Sequence, residues 1–197
     1  MRLVRSNGDR GLTLIELVFV VSLMAVIAGV AVPLTGDALD NARTSSAARY
    51  LAGQIVSSRM DAVSRSRAVA LRFDPSTPDY RIGRYVDGNG NGVRAAEIRS
   101  GVDRPDGNEK RLGDDFPNVR FGLTEGLPDA DGIRGTGTDG VRIGTARILT
   151  MSPDGTATSG TLYLQGRRAQ YAVRVLGATG RTRVLEFDRG RQTWINR

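Results

Sequence analysis

The 197-residue sequence contains no cysteine and no histidine, and Lys110 is its only lysine. Without cysteine the protein can form no disulfide, and it gives no information about its redox compartment. The two absences together exclude zinc sites built from His and Cys, cysteine nucleophiles and Ser-His-Asp triads. No other pairing of a nucleophile with a base is apparent, so we do not expect an enzyme.

The charge of the protein is positive and is carried almost entirely by arginine. Basic residues outnumber acidic ones by 28 to 21, for a formal net charge of +7. This balance fits an anionic partner and an ordinary soluble surface equally well. The length fits one domain and an anchor rather than two large domains.

The first 34 residues divide into a basic leader and an apolar segment. Residues 1–11 are polar and carry Arg2, Arg5 and Arg10, whereas residues 12–34 contain few polar side chains. As a helix, the segment 12–34 would be about 34 Å long, enough for a hydrocarbon core of about 30 Å. The positive-inside rule places the leader in the cytoplasm and the rest of the protein across the membrane.

Two simple interpretations of this segment are an ordinary signal peptide and a plain single-span anchor. A signal peptide has a shorter apolar stretch and a small-residue cleavage site, which the sequence does not show. A plain anchor fits the length but does not explain Glu16, because an acidic side chain in a membrane segment is costly and suggests a function.

The sequence Gly11-Leu-Thr-Leu-Ile-Glu-Leu17 resembles the type III signal of type IV pilins and type II secretion pseudopilins. The resemblance implies that a prepilin peptidase cleaves between Gly11 and Leu12 and methylates the new N-terminus at Leu12, where the family usually has Phe. It also implies that Glu16 neutralises the N-terminal amine of a neighbouring subunit during assembly. A second role for Glu16 is a capping box with Thr13. Pro33 matches the position of a helix-bending proline in many pilins, although a proline there could also simply end the span.

Helical spacing continues through residues 35–66, where apolar side chains recur at three- and four-residue steps. We therefore predict one helix from about Leu12 to Ser64, with an amphipathic second half that packs its apolar stripe on a sheet. The predicted stripe comprises Ala48, Leu51, Ala52, Ile55, Val56, Met60 and Val63.

Residues 67–197 form a β-rich head with a glycine-rich insertion at about 87–140. Period-two patterns predict strands separated by Gly-, Pro- and Asp-rich turns. The predicted strands are 68–73, 80–86, 119–121, 146–151, 161–165, 171–175, 183–187 and 193–195. A helix followed by strands without alternation predicts an α+β fold: a long N-terminal helix packed on an antiparallel β-sheet head, as in pilins.

Three segments in order resemble the GspH/FimT branch of this family: Ser152-Pro-Asp-Gly155, Ser159-Gly-Thr161 at the start of an apolar strand, and Ala178-Thr-Gly-Arg-Thr-Arg183. The branch implies a minor pseudopilin of the type II secretion pseudopilus, which supports protein export across the outer membrane. The alternative is a FimT-like minor pilin of a type IV pilus that binds DNA for uptake. Implied partners are the prepilin peptidase, other pseudopilins or pilins, the inner membrane, and either secreted cargo or DNA. The head would be periplasmic and the helix would cross the inner membrane once.

The head also contains a loop with the spacing of a calcium ligand set. Asp87, Asn89 and Asn91 are followed by a glycine, as in the first half of an EF-hand loop. Glu97 lies one residue before the EF-hand position, and Asp103 or Asp106 could complete the shell. The alternative is a glycine-rich turn without a metal, and the acidic turn 128–132 has the same two interpretations.

The C-terminal part of the head is basic. Residues 160–197 contain eight arginines and two acidic residues, a net charge of +6. Arg181 and Arg183 resemble the Gly-Arg-x-Arg element through which FimT-type pilins contact DNA, and alternate positions on a strand would point both side chains to one side. The alternative is an ordinary solvated face.

Overall fold

The computed structural model describes residues 13–76 and 79–197, without the side chains of residues 30–34. The protein divides into two units, residues 1–38 and residues 39–197, which we describe separately. Helix α1 begins in the first unit and ends in the second; its bounds are Leu14–Arg65. The predicted helix start at Leu12 lies outside the described residues, and the predicted end at Ser64 falls one residue short.

The first unit contains the beginning of α1 among its described residues. The Thr13 hydroxyl accepts a hydrogen bond from the Glu16 amide at 3.3 Å, and the Thr13 carbonyl accepts one from the Leu17 amide at 3.1 Å. The Thr13 hydroxyl thus satisfies one N–H group that has no partner within the first turn, and the Thr13 carbonyl accepts the first hydrogen bond of the helix. This is the Thr13 half of the predicted capping box.

The second unit contains the end of α1 and the rest of the secondary structure. The longer strands are β1 (Val69–Pro75), β2 (Tyr80–Val86), β7 (Ile148–Met151), β8 (Gly160–Gln165), β9 (Gln170–Leu176), β10 (Arg181–Asp188) and β11 (Thr193–Asn196). The region between β2 and β7 contains shorter elements: α2 (Ala95–Ser100), β3 (Arg104–Pro105), β4 (Lys110–Arg111), α3 (Leu112–Asp115), β5 (Arg120–Phe121) and β6 (Val141–Arg142).

Two antiparallel sheets make up the head. In the first sheet the strand order is β3-β2-β1-β7, and β4 also pairs with β2. In the second sheet the order is β11-β10-β9-β8-β5, and β6 also pairs with β8. The predicted α+β class with antiparallel sheets is therefore confirmed. The elements α2, α3, β3 and β4 lie in the glycine-rich insertion and were not predicted, because each is too short to show a periodicity.

One face of α1 shares a hydrophobic core with both sheets. From the helix this core receives Ala47, Ala48, Leu51, Ile55 and Ala62, and from the sheets it receives residues such as Leu71, Leu149 and Val173. Ser58 is also fully buried beside them. Small side chains at positions 47, 48, 58 and 62 allow the helix to lie close to the strands.

The predicted apolar stripe is only partly correct. Ala48, Leu51 and Ile55 are buried, but Val56, Met60 and Val63 are 48%, 64% and 48% exposed. The row that faces the sheets continues through Ser58 and Ala62 instead. After Ile55 the predicted stripe followed the large apolar residues and passed over Ser58 and Ala62, although these are the residues buried against the sheets.

Candidate functional site

The apolar residues of the first unit lie on the surface of the isolated protein. Leu14, Ile15 and Phe19 are 82%, 79% and 68% exposed, and the exposed apolar residues continue to Ile27. Burying such side chains stabilises a protein by about 1.5–3 kcal/mol each, so this surface favours an apolar environment.

Within the part of the protein that the structure describes, no helix combines the length and apolar content needed to cross a membrane. Leu12, the first residue of the predicted span, lies outside the described residues, as do the side chains of residues 30–34.

The residues of the predicted processing site, Gly11 and Leu12, also lie outside the described residues. Glu16 is described and exposed in the first turn of α1. Pro33 lies within the bounds of α1, but its side chain is not among those described, and the predicted bend stays a prediction. The assembly role of Glu16 likewise stays a prediction.

Asp40 on α1 connects the helix to the turn between β8 and β9. Its carboxylate accepts hydrogen bonds from the amides of Arg167, Arg168 and Ala169, each at 2.8–2.9 Å. Asp40 is 7% exposed. A Cβ on Gly166 would clash with the Thr44 hydroxyl, so only glycine fits where this turn passes the helix.

The hydrogen bonds determine the protonation state of Asp40. Burial alone would raise the pKa of this carboxyl, but the backbone N–H groups of residues 167–169 together bring the pKa below its usual value. The charged form is therefore stabilised in the folded protein. This contact was not predicted, because a single Asp in a helix has no local pattern that indicates a partner about 130 residues away.

Asp87 closes its own loop through backbone hydrogen bonds. Its Oδ1 accepts hydrogen bonds from the amides of Asn89 and Gly90 at 3.0 and 2.8 Å, and its Oδ2 accepts one from Gly92 at 2.7 Å. Burial alone would raise the pKa of Asp87, but the backbone N–H groups of residues 89–92 bring it below its usual value. Asp103 completes the loop: its carboxylate accepts hydrogen bonds from the amides of Gly88 and Arg94.

The other predicted calcium ligands contact one another. Asn89 and Asn91 donate from Nδ2 to Glu97 Oε1 at 3.2 and 2.8 Å. A calcium ion would require carbonyl oxygens and carboxylates that converge on one point. Here the Asp87 oxygens accept backbone hydrogen bonds, and the Asn side chains turn nitrogen towards Glu97. Across residues 13–76 and 79–197, no group of three or more acidic side chains is arranged to hold a metal ion.

The second acidic turn has a similar arrangement. Asp129 Oδ1 accepts hydrogen bonds from the amides of Asp131 and Ile133 at 3.0 and 2.9 Å. Its Oδ2 lies 3.5 Å from Arg142, which in turn stacks over the Tyr163 ring at 4.9 Å. In both loops backbone amides donate to the first Asp and close the turn, and calcium binding there stays a prediction.

Arg181 and Arg183 lie at alternate positions at the start of β10, and both are exposed. Strand register places Arg183 opposite Arg174 of β9, and Arg174 forms an ion pair with Asp131 at 2.7 Å. The outer face of the second sheet thus presents three arginines in neighbouring positions. Such a face can attract phosphate groups, and equally it can be a solvated surface.

Two of the three segments that resemble the GspH/FimT branch, the turns at 152–155 and 178–183, meet at a helix residue. Arg59 Nε donates a hydrogen bond to the Gly155 carbonyl at 2.7 Å. Gly180 has a φ of +59°, and a Cβ there would lie 2.5 Å from both Arg59 Nε and the Gly155 carbonyl oxygen. The close approach thus requires glycine at position 180, whereas Gly155 is favoured by its positive φ of +83°. Both turns are recognisable in the sequence, but no signal in it indicates that Arg59 joins them.

Comparison with known proteins gives matches of different extent. Residues 6–32 match the prokaryotic N-terminal methylation motif. The protein is 38% identical over 86 residues to the pilin-like protein PilA1 of Thermus thermophilus, a match that covers 42% of this protein and 51% of the relative. The sequence thus spans about half the length of that curated relative.

Among solved structures, the protein matches the minor pseudopilin EpsH from the type 2 secretion system of Vibrio cholerae. The TM-score is 0.45 at 15% identity, and the match covers 73% of this protein and 97% of the other. By its methylation motif and its similarity to PilA1, the protein resembles pilin-like proteins. The long helix followed by antiparallel sheets agrees with the pilin-like fold predicted from the sequence.

Proposed function

We propose that this protein is a minor pseudopilin, a structural subunit of the type II secretion pseudopilus that supports protein export across the outer membrane. The observation that carries this proposal is the methylation motif at residues 6–32, which coincides with a helix whose apolar side chains are exposed. Those side chains require either lipid or the helices of other subunits as a neighbour. Membrane storage and fibre assembly would each supply one.

Processing prepares the helix for assembly. In the proposed pathway the prepilin peptidase removes residues 1–11 and methylates Leu12, which leaves a positive amine near Glu16. A charge transferred into an apolar fibre is costly unless it is paired, so Glu16 of one subunit would neutralise the amine of its neighbour. Before assembly, the N-terminus would be cytoplasmic and the head periplasmic.

The contact at Arg59 supports placement in the GspH/FimT branch. The turns at 152–155 and 178–183 are distant in sequence, yet both glycines within them lie against one helix residue. This contact holds both turns against the same residue of α1.

Two measurements test the proposal. Mass spectrometry of the membrane form should find an N-terminus at Leu12 carrying a methyl group, and an intact Met1 in cells that contain the peptidase would contradict processing. For assembly, Val18→Cys is informative because the protein has no other cysteine. It should form disulfides with cysteine-substituted pseudopilins in cells with the secretion apparatus. Disulfides only with pilins of a type IV pilus would assign the subunit to that machine.

The second candidate is a DNA-binding minor pilin. Arg181 and Arg183 are exposed on one side of β10, next to Arg174, and this geometry favours a phosphate contact. The double substitution Arg181→Ala and Arg183→Ala should weaken DNA binding by the protein and reduce its salt dependence. Arg99→Ala with Arg104→Ala removes two exposed arginines elsewhere and is the matched control. Equal affinity for DNA in wild type and both double variants would exclude this candidate.

A further inference from the structure

The loop at residues 87–92 contains two consecutive Asn-Gly pairs, Asn89-Gly90 and Asn91-Gly92, and both Asn residues are exposed. Asn-Gly pairs suit such turns because glycine adopts positive φ freely; here the φ angles of Gly90 and Gly92 are +84° and +87°. We propose that Asn89 and Asn91 are latent sites of spontaneous deamidation, and that Asp87 suppresses the reaction by holding the two backbone nitrogens that would have to attack.

The reaction uses only the protein and water. The backbone nitrogen of the glycine attacks Cγ of the preceding Asn, and a new bond between these two atoms closes a succinimide ring. The bond between Cγ and Nδ2 of the Asn breaks, and Nδ2 leaves as ammonia with the proton lost by the backbone nitrogen. Water then opens the ring and yields aspartate or isoaspartate. Glycine is the most permissive following residue, because it has no Cβ to obstruct the attack.

Both attacking nitrogens are engaged in the folded loop. The Gly90 N–H is donated to Asp87 Oδ1 at 2.8 Å, and the Gly92 N–H is donated to Asp87 Oδ2 at 2.7 Å. One carboxylate thus holds both nucleophiles. A hydrogen bond to a charged acceptor stabilises the N–H form of the amide and restrains its position, so each attack first requires that this bond be broken.

The side chains that would be attacked are held as well. Asn89 and Asn91 both donate to Glu97 Oε1. Deamidation would replace each of these donors with an oxygen that carries negative charge. Product residues at 89 and 91 would therefore lose the contact with Glu97 and repel it, and the loop would open around α2.

The test compares deamidation rates in the full-length protein, with the leader retained, in detergent. Peptide mass spectrometry would follow residues 89 and 91 over time in wild type, in Asp87→Ala and in Asp103→Ala. Asp103 is the matched control. It accepts hydrogen bonds from backbone amides of the same loop, but not from the attacking nitrogens of Gly90 and Gly92. The Asn7-Gly8 pair in the leader is an internal reference that neither substitution touches.

We expect residues 89 and 91 of Asp87→Ala to deamidate about tenfold faster than in wild type, the factor that one hydrogen bond to a charged group is typically worth. Asp103→Ala should change the rate at residues 89 and 91 much less, and neither substitution should change the rate at Asn7. Equal acceleration in both variants would mean that general loosening of the loop is the cause, and would overturn the proposal. No acceleration in Asp87→Ala, or a slower reaction, would overturn it too.

A measurement on wild type alone does not depend on how a variant folds. In urea the unfolded protein should deamidate at residues 89 and 91 as fast as at Asn7, whereas in the folded protein both sites should be slower than Asn7. If the folded and unfolded forms reacted equally fast at residues 89 and 91, Asp87 would offer no protection.

Discussion

Arg59 on α1 donates from Nε to the carbonyl oxygen of Gly155 at 2.7 Å, and Gly180 lies against the same side chain. This contact fixes the turn from which Arg181 and Arg183 extend. It thereby joins the part of α1 in the second unit to the face of the head that carries the basic side chains.

Gly180→Ala should destabilise the head by about 2–4 kcal/mol, because a Cβ would clash with Arg59 and the Gly155 carbonyl and would impose a side chain on a positive φ. Urea unfolding of the protein measures the loss. Gly53→Ala is the matched control: this glycine is exposed within α1 and an added Cβ meets nothing within 4 Å. It should stabilise the protein by up to about 1 kcal/mol. Equal effects of the two substitutions would contradict the described packing.

Asp40→Ala should lower the free energy of unfolding by about 2–4 kcal/mol, because three backbone N–H groups of the β8–β9 turn would lose a charged acceptor. Asp40→Asn keeps the shape and an acceptor oxygen but removes the charge, so it should cost less. Thermal or urea unfolding of both variants beside wild type would measure this order. A loss no larger than that of an exposed Asp→Ala substitution would exclude Asp40 as the connection between helix and turn.

Acidification should reduce the contribution of Asp40. The pKa of Asp40 is lowered in the folded state, so its stabilisation is fully present above the unfolded pKa of about 3.9 and is lost as the pH falls through the folded pKa. The difference in unfolding free energy between wild type and Asp40→Asn should therefore be constant near neutral pH and shrink in acid. A difference that grew as the pH fell would mean that the folded state favours the protonated acid.

Calcium binding at Asp87 is tested by melting curves. An ion that binds only the folded state would raise the melting temperature with calcium and lower it with a chelator. Since backbone amides already occupy the Asp87 oxygens, we expect neither addition to shift the melting temperature. Asp87→Asn should lower it by the same amount under both conditions. A rise with calcium in wild type that is absent in Asp87→Asn would establish the metal site.

Met60 is a probe for subunit contacts beyond the first unit. Its side chain is 64% exposed on the α1 face opposite the core, beside the exposed Val56 and Val63. If neighbouring subunits cover this face, a Met60→Cys variant should react more slowly with a maleimide in cells that assemble the fibre than in cells that lack the machinery. Thr136→Cys, in an exposed loop of the head, is the control for reagent access. Equal protection of both cysteines would point to general shielding of the head.

Local patterns in the sequence determined much of the architecture. The apolar run from Leu12 and the three- and four-residue spacing after it predicted α1, because helical periodicity repeats within a few residues. Period-two patterns located the longer strands, and the Gly11-to-Leu17 signal identified the prepilin-type N-terminus. Each of these features depends only on residues that are close together in the sequence. The geometry of the backbone sets the spacing at which such residues recur on one face.

Tertiary structure decided which side chains meet. It buried Ser58 and Ala62 against the sheets while leaving Met60 in solvent, and it brought Asp40 to the turn at residues 167–169. It also closed the Asp87 loop on backbone amides, where the spacing alone was compatible with calcium. These contacts depend on distances between segments that are remote in sequence, and on which of several acceptors each donor reaches. No local repeat in the sequence specifies these distances or these hydrogen-bond partners, because the packing of the whole head sets both.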